Sequence, residues 1–296
     1  MIGEIPIVTF DTNAHNRLAD DPRSESVLAQ MKSMWFRFAG LSVEELFATS
    51  PASRRDALFA SCRKIWNGPS ECFLPSNHLT EQLILAHFKD PASFNWETVD
   101  VRCPDFDKEL KLLESYDYES VSTEQREFLW KRRQSDKQRF VSLRPKLQTI
   151  FEKHGEAPPT TFQEGISRLD NVGNSAMWYK AQFYYDLVTT MDSTETTVKE
   201  FAASCPPFLS LIYAGFIPWY NNAVRDPNKG ERVIAHSNDL YMSVYMPYVD
   251  LFVTDDTDAE KALHEVARLA KLETKLLSYD DFCAALSVVV LKQAEL

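Results

Sequence analysis

The feature that most constrains this chain is a short apolar strand-like run that ends in acid, met near both ends of the sequence. Ile5-Pro6-Ile7-Val8-Thr9-Phe10 is β-branched and apolar and leads into Asp11-Thr12-Asn13, while Asp250-Leu251-Phe252-Val253-Thr254 leads into Asp255-Asp256-Thr257-Asp258. Runs of this composition read as buried central strands. In an open parallel sheet, ligands bind outside the carboxyl ends of the strands, so acids at those ends are placed for chemistry.

Helical and strand-like segments alternate around both runs. A helix is predicted from Ser24 to Met34, a second strand over Trp35–Leu41 leading into Glu44 and Glu45, and a helix through Ile65 begun by Ser50-Pro51 as cap and first-turn proline. Downstream, a helix around Asp239–Tyr245 precedes the second acid-ended strand. A helix over Ala259–Leu272 and a strand over Thr274–Ser278 follow it. Strands separated by helices predict a parallel sheet with helices on both faces.

Between these blocks the pattern turns helical. Ser122–Arg139 opens with a Ser122-to-Gln125 capping box, and Asn174–Leu187 follows, with Pro158–Thr161 and the Asp226–Gly230 turn as punctuation. The predicted organisation is an α/β core from residues 1–85 and 232–296, split by a helical insertion over 86–231.

Composition narrows the function classes. A net charge of -11 excludes a protein that coats nucleic acid through an overall basic surface, but not an enzyme that brings cations to an acidic site. Five cysteines without CxxC spacing indicate neither a zinc knuckle nor a disulfide framework. The start lacks a signal peptide's basic and apolar segments. The longest apolar run, Cys205–Tyr220, is broken by prolines and too short for a membrane span. A cytoplasmic protein with no membrane association is expected.

Acids forced together repel. A like pair at about 4 Å costs roughly 4 kcal/mol at an effective dielectric near 20. Hard divalent cations remove that cost, and clustered carboxylates with water suit Mg²⁺ or Mn²⁺. Such a site can activate water against a phosphodiester.

Asp11-Thr12-Asn13 after a strand, Glu45-Leu46 early in a helix, Asn238-Asp239 heading a helix, and Phe252 to Asp258 closing a strand resemble the PIN domain in content and order. The resemblance covers residues 1–85 and 232–296. It implies a PIN-like three-layer fold and a metal-dependent endoribonuclease acting on single-stranded RNA, its metal site built from Asp11, Glu45, Asp239 and Asp256. It also implies supporting roles for Asn13, Thr254 and Asp258, products with 5′-phosphate ends, and a protein inhibitor or antitoxin as a partner class. Typical members are about half this length, so the insertion bears on substrate choice.

The stretch from Lys131-Arg132-Arg133 through Arg139 to Lys146 carries seven basic residues and one acid, and reads equally as an RNA phosphate contact or a solvated helix face. Trp178, Tyr179, Phe183, Tyr184 and Tyr185 read first as core at helical spacing and second as a base-stacking platform. His15 reads as a helix-surface histidine, close enough behind Asp11 to watch. Two other functions fit the same residues: a PIN-like scaffold that binds RNA or protein without cleaving, and a small-molecule phosphatase of the haloacid-dehalogenase kind. The phosphatase requires a second Asp where Asn13 stands.

Overall fold

The computed structural model describes residues 5–47, 49, 52–106, 108, 138, 141–169, 175–235 and 237–294. Lys131, Arg132, Arg133 and Arg139, the predicted Ser122–Arg139 helix apart from Gln138, and the Ser50-Pro51 cap lie outside the described residues.

Five parallel strands form one sheet in the order β3-β2-β1-β4-β5: β1 Ile7–Phe10, β2 Trp35–Phe38, β3 Ser70–Cys72, β4 Leu251–Thr254 and β5 Lys275–Ser278. The chain winds outward from β1 through β2 to β3, then returns to lay β4 on the opposite side of β1. Val8 pairs with Phe36 on one flank and with Leu251 on the other. The order therefore reverses between β1 and β4, the crevice where open α/β sheets place their ligands.

The period of two along each strand divides the core. Val8, Phe10, Phe36, Phe38, Cys72 and Val253 face one side, where they pack with residues of α1 (Thr12–Asp20), α2 (Ser24–Met31), α4 (Ala52–Trp66) and the C-terminal α13 (Tyr279–Ala294). Ile7, Phe73, Phe252 and Leu276 face the other. Arg37 alternates to that second side, where it pairs with Glu71, donates to the Tyr248 carbonyl at 2.7 Å and lies over the Phe73 ring.

Helices drawn largely from the stretch 86–231 cover this second face and share one continuous core with it. They include α8 (Ser175–Thr189), α9 (Glu195–Ser204) and α10 (Pro206–Trp219), preceded by α5 (Ser76–Lys89), by a helix over 141–153 (α6) and by α7 (Phe162–Leu169). α10 packs on α12 (Thr257–Ala270) and on a 3-10 segment, Met242–Tyr248. In α12, Ala259, Ala262, Leu263, Val266, Ala267 and Ala270 are buried, the stripe expected of a helix lying on a sheet. Pro206 and Pro207 open α10, where the missing amide hydrogens leave nothing unsatisfied.

The expected strands and the Ser24–Met34 helix are found with trimmed ends. The predicted Asp239–Tyr245 helix divides into α11 (Ser237–Tyr241) and the 3-10 segment that contains Pro247. The Asp226–Gly230 turn closes through the Gly230 amide and Asp226 carbonyl at 2.9 Å. The aromatic cluster on α8 departs from the expectation of core packing: Trp178 and Tyr185 are buried, but Tyr179 and Phe183 are 68% and 60% exposed. Residues four apart share a face, and this face points outward. No single described helix is long and apolar enough to cross a membrane. One bent pair, Glu195–Ser204 with Pro206–Val224 at 113°, has the length and composition.

A close approach fixes the start of α3 (Gly40–Phe47), the helix that carries Glu45. A Cβ at Gly40 would stand 2.7 Å from the Pro75 nitrogen and 2.9 Å from both the Leu74 carbonyl carbon and the Phe73 oxygen. All three are backbone atoms and cannot swing aside. Gly40→Ala should cost about 2 kcal/mol by overpacking, read as a lower urea midpoint. An unchanged midpoint would contradict the approach.

Candidate functional site

β1 and β4 end side by side, and each hands its chain to a helix through an acid. Asp11 caps α1, its Oδ1 accepting from the Ala14 amide at 2.7 Å. Asp256 caps α12, its Oδ1 accepting from the amides of Asp258 and Ala259, each at 2.9 Å. An acid at this position satisfies amides that the helix leaves unpaired and sits favourably against its dipole.

Thr254 ties the two acids together. Its hydroxyl donates to Asp11 Oδ2 at 2.5 Å and accepts from the Asp256 amide at 3.1 Å. One buried hydroxyl thus aims the side chain of one acid and sets the backbone of the other.

Glu45 reaches the same neighbourhood from β2. The Ser42 hydroxyl donates to the Phe10 carbonyl at 3.2 Å and seats α3 over the end of β1. One turn later, Glu45 accepts from the Thr12 hydroxyl. Glu44, its neighbour, is exposed. Of the two glutamates, Glu45 is the one bonded to the first residue of α1. Asp239, in the first turn of α11, is half-buried and close enough to act on Asp11 by repulsion.

The electrostatics centre on Asp11, which is 4% exposed. Burial pushes its carboxyl up to about 7. Repulsion from Asp239 and Asp256 adds to the rise, while the hydrogen bonds from Thr254 and Ala14 oppose it. Desolvation with like charges nearby is the arrangement that perturbs carboxylates at functional sites.

A cleft of about 750 Å³ opens between α1 and the segment that follows β4, lined by Asp256 but not by Asp11, Glu45 or Asp239. Asn13, Asn16, Arg17 and Asp20 line one wall from α1. The Asp255–Asp258 segment and Lys261 line the other. Asn13 and Asp258 are exposed on the cleft. Asp258 is bonded to the acid pair through its amide.

The carboxylates suit a hard cation in their chemistry: oxygen donors, one of them deeply buried beside two other acids. Among the described residues, however, no three acids, histidines or cysteines stand close enough to enclose an ion. The site offers acids from separate elements rather than a closed cage.

His15 corrects its expected surface placement. It is 1% exposed, stacks on Phe38 with centroids 5.7 Å apart, and burial lowers its pKa to about 3. It belongs to the core beneath the site. Arg17 and Lys261 were missed in the sequence. The signal for Arg17 is that Asn13, Asn16, Arg17 and Asp20 follow the spacing of one helical face.

No family model, curated protein or solved structure matches this chain.

Proposed function

We propose that the protein is a metal-dependent endoribonuclease of the PIN-like kind, acting on single-stranded RNA. The observation that carries this reading is the joining of Asp11 and Asp256 through Thr254 at the switch point of the sheet. Asp11, Asp239, Asp256 and Glu45 are the residues that would hold Mg²⁺ or Mn²⁺. A cation there supplies neutralising charge, Lewis acidity toward a phosphodiester oxygen and a bound water of lowered pKa.

The chain's own contribution is orientation. Thr254 fixes the plane of the Asp11 carboxylate, and the α12 amides hold one oxygen of Asp256, directing the other away from the helix. Thr12 restrains Glu45. Side chains locked in this way lose little freedom when a ligand arrives, which is what positioning residues contribute to rate.

The test is incubation of purified protein with a mixed single-stranded RNA pool in Mn²⁺, beside EDTA and an Asp239→Asn variant. Cleavage that needs both the metal and Asp239 is expected. The variant should be slower by at least about a hundredfold, since even residues that only support a metal ligand cost 10–100-fold. Cleavage that survives EDTA or the substitution would reject the reading.

A second reading, a PIN-like scaffold that binds RNA or protein without cleaving, draws on the absence of a closed carboxylate cage among the described residues. Thermal melting separates the two. A cation-binding cluster raises the midpoint in millimolar Mn²⁺, and a silent scaffold does not.

A further inference from the structure

We infer that Cys72 and Cys103 are a redox modification site, an opposed pair of thiols that closes to a reversible disulfide under hydrogen peroxide. The inference does not depend on the nuclease reading.

β3 is an edge strand, with β2 on one side. Its other side is covered by the segment 101–103, one of the ways in which sheets protect an edge. The Leu74 amide donates to the Val101 carbonyl at 2.9 Å, and the Cys103 amide donates to the Cys72 carbonyl at 2.7 Å. Phe73 and Arg102 form an antiparallel bridge between these bonds. That register sets Cys72 directly opposite Cys103. Residues opposed in this way have Cα atoms about 5.5 Å apart, inside the range of about 4.4–6.8 Å that a disulfide spans.

The packing agrees with the register. Phe73 belongs to the core on the second face of the sheet, whereas Cys72 and Cys103 both pack with the core of the first face, which holds Phe38 and Phe106. Both cysteines are present as thiols. Closure brings their Cβ atoms from about 5.5 Å to about 4 Å. The segment 101–103, joined to β3 by the two backbone bonds, is the side that moves. The closed bond pins the strand whose next residues, Phe73 to Pro75, form the backbone seat of Gly40 and hence of α3.

The two sulfurs differ in access. Cys72 is 3% exposed, its thiol donates to the Phe73 carbonyl at 3.3 Å, and burial, with Cys103 beside it, holds its pKa well above the usual value. Cys103 is half-buried, so the oxidant meets it first. Its thiolate attacks one oxygen of hydrogen peroxide. The O–O bond breaks, the sulfur becomes a sulfenic acid, and the departing hydroxide takes up a proton to leave as water. The Cys72 sulfur then gives up its proton and attacks the sulfenic sulfur. An S–S bond forms, the S–O bond breaks, and a second water leaves. The sulfurs have lost two electrons and the peroxide has gained them.

The experiment treats reduced protein with a small excess of hydrogen peroxide, blocks the remaining thiols with N-ethylmaleimide in denaturant, and maps the peptides by mass spectrometry. Two of the five thiols should be lost, in one linked pair of peptides that carry Cys72 and Cys103. Dithiothreitol should restore both by exchange. Cys103→Ser should form no disulfide at Cys72. Cys72→Ser should leave a sulfenic acid at Cys103 that a cyclic 1,3-diketone traps. In the oxidised wild type the Leu74 and Cys103 amides should exchange with solvent more slowly than in the reduced protein, because opening of the edge is then restrained.

A wild type that keeps all of its thiols in peroxide, or that links Cys103 to Cys62 or Cys283 instead, would overturn the inference. So would oxidation of Cys103 beyond the sulfenic acid with no link to Cys72. The wild-type map decides the matter even where a serine variant fails to fold.

Discussion

Asp11→Asn should melt higher than the wild type at neutral pH while losing metal-dependent RNA cleavage. The carboxyl of Asp11 is buried, held by one hydroxyl and one amide, and repelled by Asp239 and Asp256, which together leave it at about 7 instead of 3.8. Between those values the folded chain keeps a proton that the unfolded chain has released. More protons bound when folded means that stability falls as pH rises through this window, from about 4 to about 7. A displacement of this size corresponds to on the order of 4 kcal/mol.

Asparagine keeps the shape, can still accept from the Ala14 amide, and cannot ionise. The variant's midpoint should therefore change much less than the wild type's between about pH 5 and about pH 8, a range that crosses the folded-state value of about 7. Wild type should fall across the same range, and the two curves should separate most at the alkaline end. Melting curves at several pH values, read beside the RNA assay, decide it. A variant that is less stable at alkaline pH would mean that the carboxylate has a compensating partner in the fold. One that cleaves at the wild-type rate would remove Asp11 from the site. Divalent cation should act against the wild-type loss, raising the wild-type midpoint more at alkaline than at acid pH because metal and proton compete for the same oxygens.

What was legible in the sequence was legible for local reasons. β1 and β4 are apolar and β-branched, and the acids that end them also cap the following helices, so strand, site and helix start are all set within a few residues. β3 was not legible. Ser70-Glu71-Cys72 has no apolar run, and it is held by backbone pairing to Phe36–Phe38 and by the Glu71 pair with Arg37. Such an edge strand is defined by its neighbour rather than by its own composition.

Glu44 against Glu45 was undecidable because adjacent helical residues differ only by rotation. Rotation was fixed by Ser42 bonding to the end of β1. His15 misled for a related cause: it shares its buried helix face with Ala14 and Leu18, but the rings that bury it, Phe10, Phe36 and Phe38, come from two strands. Arg17 and Lys261 become neighbours of one cleft only when α1 and α12 are both laid over the sheet.

Deleting the helices between the two halves of the sheet should abolish folding rather than release a smaller core. A genuine appendage could be replaced by a flexible linker at a cost that grows only slowly with loop length. Here α10 supplies Phe208, Ile212, Phe216 and Ile217 to the same buried cluster as Phe252 of β4, Leu263 and Val266 of α12 and Tyr245. Removing one partner exposes the other, and each large apolar side chain is worth about 1.5–3 kcal/mol of burial. Losing the four α10 side chains alone approaches the 5–15 kcal/mol that typically holds a protein folded. A chain with a Gly/Ser linker in place of residues 95–232 should therefore lack cooperative melting by circular dichroism. The point substitution Phe216→Ala should cost about 3–5 kcal/mol. It should lower a single transition reported alike by far-ultraviolet signal and by RNA cleavage, because the site's two walls, α1 and α12, rest on opposite faces of the sheet that this core supports. A linker variant that melts cooperatively, or a Phe216→Ala protein with two separated transitions, would show instead that the helices form a unit of their own. Their bearing on activity would then be through substrate access rather than through the stability of the site.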